Sequence, residues 1–253
     1  MASLMLRRLA QAALILLGVA AITFVLLYAL PADPARMIAG RLPATLTLML
    51  AGIFVEVVLG LTLGTIAAVR RGGFVDRLVM MASFVGTSAP QFLVALLLLY
   101  LLAATLGWFP MSGYGSFAHL VLPAVTLGIC GAGWYARMVR SSMIDVLNQD
   151  YVRTARAKGL SSKRVILRHA LPNAVLPIIA MIGIDIGQFM GGVVVVEAVY
   201  GWPGIGQLAW QAIQQVDIPI IMGVTLTSAL AIIIGNLLAD LVAPVIDPRI
   251  RTR

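Results

Sequence analysis

Charge is scarce in this chain. Of 253 residues only 11% are Asp, Glu, Lys or Arg, whereas 61% are apolar. Mean hydropathy is +1.01. A water-soluble globule needs far more polar surface, so the composition excludes a soluble domain and puts the chain in a lipid bilayer. Cysteine is nearly absent. Cys130 stands alone, which rules out an intrachain disulfide, and its apolar surroundings read as those of a small buried side chain. No Cys/His cluster offers a metal site. No GxxxxGK[ST] loop is present, so nothing argues that the chain binds ATP itself, and no bound cofactor is expected. HExxH and GxSxG are missing too, and nothing forms a catalytic set. The chain does not read as an enzyme.

What is there is long apolar runs. Roughly 20 apolar residues in a helix cross about 30 Å of hydrocarbon. Six segments qualify: residues 9–30, 44–69, 78–106, 120–138, 174–196 and 219–243. The first exceeds the length of a signal-peptide core and reads as a retained helix. The expected fold class is an all-α integral membrane protein with about six transmembrane helices. An N-terminal unit over residues 1–40 would hold the first helix and a short outer loop. A core over residues 41–253 would hold the other five.

The loops set the orientation. With the N-terminus inside, the inner segments hold Arg7, Arg8, Arg70, Arg71, Arg77, the cluster from Arg137 to Arg168, and Arg249, Arg251 and Arg253. The outer loops keep Arg36 and Arg41 beside Asp33, Glu197 and Asp217. This asymmetry implies both termini inside. It also accounts for the net charge of +8 without nucleic acid. His119 and His169 then fall on opposite sides, so they cannot share a metal.

Polar residues within the spans need a reason, because ionisable groups at membrane depth are costly. Glu56 lies in the series Gly52, Glu56, Gly60, Gly64, one helix face with a close-packing signature. It is expected to point into the bundle, as an interhelical hydrogen-bonding group or on a pathway. Gly183, Gly187 and Gly191 repeat the device. Asp185 and Gln188 lie on the opposite face of that helix, as cavity lining or as an interhelical bond. Asn236 and Asp240 read as a polar clasp in the last span. Pro90, Pro123 and Pro177 can kink their helices.

One basic segment interrupts the apolar chain. "DYVRTARAKGLSSKRVILRHALPN", from Asp150 to Asn173, carries six Lys or Arg, one His and one acid. Residues 145–158 read as a helix, Gly159 as its left-handed stop and Ser161 as the cap of a second helix. Tyr151, Thr154, Ala155 and Lys158 share one face by spacing. A basic loop obeying the inside rule explains the charge, but not the length or the amphipathic order.

This segment resembles the coupling loop of ABC importer permeases, EAA-x3-G-x9-I-x-LP. Gly159, Leu171 and Pro172 match in identity and spacing, and Ala155 fills the last Ala position. Arg153, Thr154 and His169 depart from the pattern in the manner of the dipeptide, oligopeptide and nickel permeases. "HLVLPAVTLG", "ARMVRSSM", "VVVVEAVYGWPGIGQL", "NLLADL" and "DPR" resemble the same branch, in order along nearly the whole chain.

The resemblance implies a type I ABC importer permease fold in the cytoplasmic (inner) membrane. It implies a loop, at about residues 139–173, that docks on an ATPase through Tyr151, Arg153, Thr154, Ala155, Arg156, Ala157, Lys158, Gly159, Leu160, Leu171 and Pro172. It implies as partners a homologous permease forming a heterodimer with this chain, two ATPase subunits that bind the ATP, and an extracytoplasmic substrate-binding protein. The cargo would be peptides or related small solutes, nickel chelates among them. Asp185, Gln188 and Glu56 become candidates for the translocation path. Trp202, Pro203, Gly204, Gly206 and Trp210 become candidates for docking the binding protein. The branch usually carries a long outer segment after the first span, and here "PADPARMIAGRLP" stands in its place. The rival reading is an ion-coupled secondary transporter using Asp185 or Glu56.

Overall fold

The computed structural model describes residues 34–246, with Leu17, Gly18 and Ala21; side chains are described for residues 35–235 except 180 and 190–192. Apart from Leu17, Gly18 and Ala21, the first expected span, residues 9–30, lies outside the described residues, as do the side chains of Asn236 and Asp240. Among the described residues every regular element is helical.

Helix α1 (Pro34–Val69) has 36 residues. At 1.5 Å per residue it is about 54 Å long, well beyond the hydrocarbon thickness. It absorbs most of the segment read as an outer loop: residues 34–43 open this helix, and Pro43 lies inside it. Leu50, Phe54 and Val58 form an exposed apolar stripe, as a lipid-facing side requires.

The span expected over residues 78–106 is not one helix. It divides into α2 (Phe74–Ser88) and α3 (Gln91–Thr105), which meet at 104°. The cause is local. Pro90 lacks an N–H, and its ring disfavours the helical region for the residue before it. Ala89 accordingly sits at φ −71°, ψ 132°. Pro123 causes no such break in α4 (Phe117–Leu147).

The basic segment follows as α5 (Asp150–Ala157) and α6 (Ser162–Ala174). Next come α7 (Leu176–Gly192), bent 43° from α6, then α8 (Val194–Tyr200), α9 (Ile205–Gln215) and α10 (Ile218–Ile246). Helices α1, α4 and α10 are long and apolar enough to cross a membrane. Counting the bent pairs α2/α3 and α6/α7 as one span each gives up to five among the described residues.

Glycines set the main seam. A Cβ on Gly52 would lie 2.9 Å from Leu127 Cδ1, one on Gly60 would lie 2.2 Å from Tyr135 Cβ, and one on Gly64 would lie 2.7 Å from Val139 Cβ. Residue numbers rise together along this seam, so α1 and α4 run parallel. Helix α2 packs antiparallel on the far side of α4, with Ser83 against Gly133 and Asp76 against Arg140. Gly187 of α7 meets the backbone of α10 at Ile232, 3.2 Å from where its Cβ would be. Such close approach supplies the dispersion contacts that hold helices together in lipid.

Candidate functional site: an acidic cavity and an exposed helical platform

Glu56 of α1, Tyr135 of α4 and Asp185 of α7 converge midway along the bundle. They line a cavity of about 310 Å³ with Gln188, Cys130 and Trp134. The glycine seam brings them together. Gly131 has no side chain, and the Glu56 carboxyl occupies the space, with Oε1 1.6 Å from where a Cβ would stand. Glu56 is 2% exposed. The Tyr135 hydroxyl donates to Asp185 Oδ2. The Glu56 and Asp185 carboxyls are in hydrogen-bonding contact. Two carboxyls in such contact cannot both stay ionised without a proton or another cation between them.

All three candidates for the path, Glu56, Asp185 and Gln188, therefore border one cavity. Cys130 is half-buried on its wall, more open than its apolar neighbourhood suggested. Sequence reasoning did not single out Tyr135 or Trp134. The available signal for Tyr135 was its place four residues after Gly131 on a helix of small residues. Arg137 stands one turn below Trp134, its guanidinium carbon 4.6 Å from that ring centre and 4.9 Å from the Phe84 ring.

A second polar constellation lies at the opposite end from the basic segment. Burial pushes the Glu197 carboxyl up from its ordinary range, against hydrogen bonds that favour its charged form. Its Oε1 accepts from the Thr45 hydroxyl at 2.8 Å, and its Oε2 accepts from the Gln207 N–H at 2.9 Å. The carboxyl thus caps the start of α9. Gly204 and Gly206 make room for it: a Cβ on either would fall within 2.0 and 3.0 Å of its oxygens. Trp202 donates from Nε1 to the Ala44 carbonyl at 2.9 Å.

This arrangement corrects the docking candidates. Trp202 is 2% exposed, and Gly204 and Gly206 are buried as well. They hold the turn between α8 and α9 against α1, so they cannot meet an outside protein in this conformation. Trp210, 46% exposed, and the half-buried Pro203 remain at the surface.

The basic segment folds as a helical hairpin whose second helix packs on α4 through Ala170 and Ala174. The expected helix over residues 145–158 is divided: α4 ends at Leu147, and Gln149, extended at ψ 150°, starts α5. Gly159 turns the chain at φ 75°, with open space where its side chain would be. Ser161 takes the N-cap position of α6, without a capping bond from its side chain. Val152 and Ala155 pack on Val165, with Leu160 beside them. Ala155 is 6% exposed, so it belongs to the inward face and not to the contact face. The exposed set is Tyr151, Arg153, Thr154, Arg156, Ala157, Lys158 and Gly159; further on, Leu171 is half-buried and Pro172 exposed.

The base of the hairpin is braced by an ion pair that the sequence did not announce. Arg140 of α4 donates from Nε to Asp76 Oδ1 at 2.5 Å and from NH2 to Oδ2 at 2.7 Å. Oδ2 also accepts from the Gly72 N–H at 2.8 Å. Two-pronged Arg–carboxylate pairing fixes geometry better than a single contact.

Residues 60–252 match the family described as "binding-protein-dependent transport system inner membrane component". The chain belongs to this family. Residues 1–84 also match the family describing the N-terminal part of such membrane components. The chain is 45% identical over 225 residues to a putative peptide permease protein of Brucella suis biovar 1 (strain 1330), covering 85% of this chain and 70% of that one. It is 40% identical over 225 residues to an oligopeptide transport system permease protein of Bacillus subtilis (strain 168), covering 85% and 71%. Over 214 residues it is 41% identical to a glutathione transport system permease protein of Escherichia coli (strain K12), covering 85% and 70%.

The fold is shared with solved transporters. A chain of the MetNI methionine ABC transporter, in an inward-facing conformation, superposes with a TM-score of 0.68 at 19% identity, over 85% of this chain and 99% of that one. A chain of an amino acid ABC transporter gives 0.57 at 16% identity, over 85% and 94%. The protein is thus an ABC importer permease, a multi-pass membrane subunit working with other components of the transporter. Membership decides against an ion-coupled secondary transporter.

Proposed function

We propose that this chain is one of two homologous permease subunits of an importer for peptides or related small solutes, nickel chelates being a second cargo class. Its relatives named as peptide, oligopeptide and glutathione permeases support the cargo. ATP is hydrolysed on two separate ATPase subunits, and an extracytoplasmic binding protein delivers the substrate. The platform made by α5 and α6 docks on an ATPase through Tyr151, Thr154 and Lys158. Its place in the cytoplasmic membrane has both termini and the platform inside, as the distribution of basic residues requires. The observation that carries this reading is the exposed, glycine-hinged hairpin in a chain of this family. Nucleotide-driven closure of the ATPases would move the platforms and alternate the access of the path between the two sides.

Reconstitution tests it. Proteoliposomes holding this chain, its partner permease, the ATPases and the binding protein should accumulate a labelled tripeptide only with ATP. Uptake driven by an ion gradient without the ATPases would overturn the reading. Orientation is checked by single cysteines in a Cys130→Ser background. Ser112→Cys and Gln214→Cys should label from outside intact cells, and Ser162→Cys only after permeabilisation.

A further inference from the structure

We infer that the cavity between Glu56 and Asp185 is a cation-recognising subsite on the transport path, which takes the protonated amine of a passing substrate. This deepens the proposed peptide transport and rests on it. Three observations carry it. First, the cavity lining holds two carboxyls and no basic side chain. Second, the Glu56 carboxyl is 2% exposed and hydrogen-bonds the Asp185 carboxyl on the cavity wall. Two carboxyls in such contact need a proton or another cation between them. Third, the neighbouring groups suit an ammonium. The Tyr135 hydroxyl occupies one oxygen of Asp185, and the Gln188 amide lies one turn further along the same wall. The Asp185 carboxyl and the Gln188 amide oxygen offer acceptors to the N–H bonds of a protonated amine, with the Glu56 carboxyl bonded to Asp185.

A divalent metal fits less well. Hard cations take six or more oxygens, and transition metals favour His or Cys sets. Among the described residues no group of three or more His, Cys, Asp and Glu is placed to hold a metal ion. Arg137 of α4 does not line the cavity; its guanidinium lies over the Trp134 and Phe84 rings and donates to the Thr87 hydroxyl and the Ser83 carbonyl, both at 3.4 Å.

The chain's single cysteine is a built-in probe, because Cys130 stands on the cavity wall. The rate of its modification is followed by intact mass of this chain in the assembled importer, both nucleotide-free and vanadate-trapped. Three methanethiosulfonates are compared, carrying a trimethylammonium, a sulfonate or no charge. A cleft lined by one sign of charge enriches the opposite ion by 10-fold or more. The cationic reagent should therefore react at least about 10-fold faster than the anionic one in the wild type, and within about 3-fold of it in Glu56→Gln or Asp185→Asn. The uncharged reagent reports whether the cavity survives each substitution, and the second variant decides if the first does not fold. An equal preference in wild type and variants overturns the subsite. So does a Cys130 that no reagent reaches in either state. Absence of ATP-driven peptide uptake would instead sink the transport reading and leave the labelling ratio standing.

Discussion

Gly60→Ala should loosen the bundle far more than Gly40→Ala, although both lie in α1. A Cβ at position 60 would sit 2.2 Å from Tyr135 Cβ and 3.3 Å from the Ala136 nitrogen. Carbon atoms rest at about 3.5–4.0 Å, so the seam must open locally by more than 1 Å. The obstacle is a Cβ and helix backbone, which cannot swing aside like the tip of a side chain. Overpacking of this kind costs about 1–3 kcal/mol, and the upper part of that range applies here. Position 40 has nothing within 4 Å. There Ala brings only its helix propensity, a gain of about 1 kcal/mol. That gain is common to both variants, so their difference isolates the seam at about 2–3 kcal/mol. For a chain of this size 1 kcal/mol moves the midpoint by roughly 2–4 °C, which gives about 5–10 °C between the variants. The assay is thermal unfolding of the purified complex in one detergent. Midpoints within about 2 °C of each other would refute the close-packed seam.

Gly159→Val should leave the protein inserted but lower the uptake gained per ATP hydrolysed; the space is open, so only the left-handed backbone at φ 75° is strained, by about 1–2 kcal/mol. Unchanged coupling would count against the hinge. Tyr151→Ala should weaken co-purification with the ATPases while thermal stability stays within about 0.5 kcal/mol of wild type, as for other surface changes. Ala155→Trp, forced into the hairpin interior, should lower stability itself, and the opposite pattern in the two variants would overturn the assignment of faces. Glu197 gives a pH signature. Its carboxyl titrates above the ordinary 4.5 when folded, so the folded state holds the proton more tightly. The resulting stabilisation is complete below 4.5 and fades as pH rises through the folded value. Glu197→Gln should remove that slope, and a variant with the wild-type slope of melting midpoint against pH would show that another group is responsible.

Much of this was legible in the sequence because bilayers leave few options. The apolar runs and the basic asymmetry mark the spans, and the described residues hold three spanning helices, or up to five spans if each bent pair is one. The series Gly52, Glu56, Gly60, Gly64 announced a helix contact, and Asp185 with Gln188 announced a polar face. What stayed hidden depends on partners distant along the chain. Periodicity cannot tell that Glu56 faces Asp185, nor that Tyr135 on a third helix joins them. The bend at Pro90 was visible as a proline, but its 104° is set by where α2 and α3 find their neighbours on α4. Trp202 misled for a related reason. A Trp beside Gly and Pro in an outer loop resembles a contact residue, and only the loop folding back on Ala44 and Thr45 shows that its indole is interior.

The path from platform to cavity runs through both arms of the hairpin. On one side α5 follows α4, which holds no Gly or Pro between Tyr135 and Leu147, a stiff rod of about 18 Å. The Asp76–Arg140 pair fastens this rod to α2. On the other side α6 passes through the 43° bend into α7, which carries Asp185. Glu56 travels with α4, because Gly52, Gly60 and Gly64 lock α1 against it. The two arms pack on each other along the way, Val139 and Met143 with Ala170, Ala174 and Ile178, and the Tyr135–Asp185 hydrogen bond is a polar contact between them inside the bundle. A displacement of the platform that swings α7 relative to α4 has to stretch that bond and draw the Asp185 carboxyl away from Glu56. If the inferred subsite holds an amine, that movement takes away one of its two acidic partners, and binding and release are thereby tied to platform position.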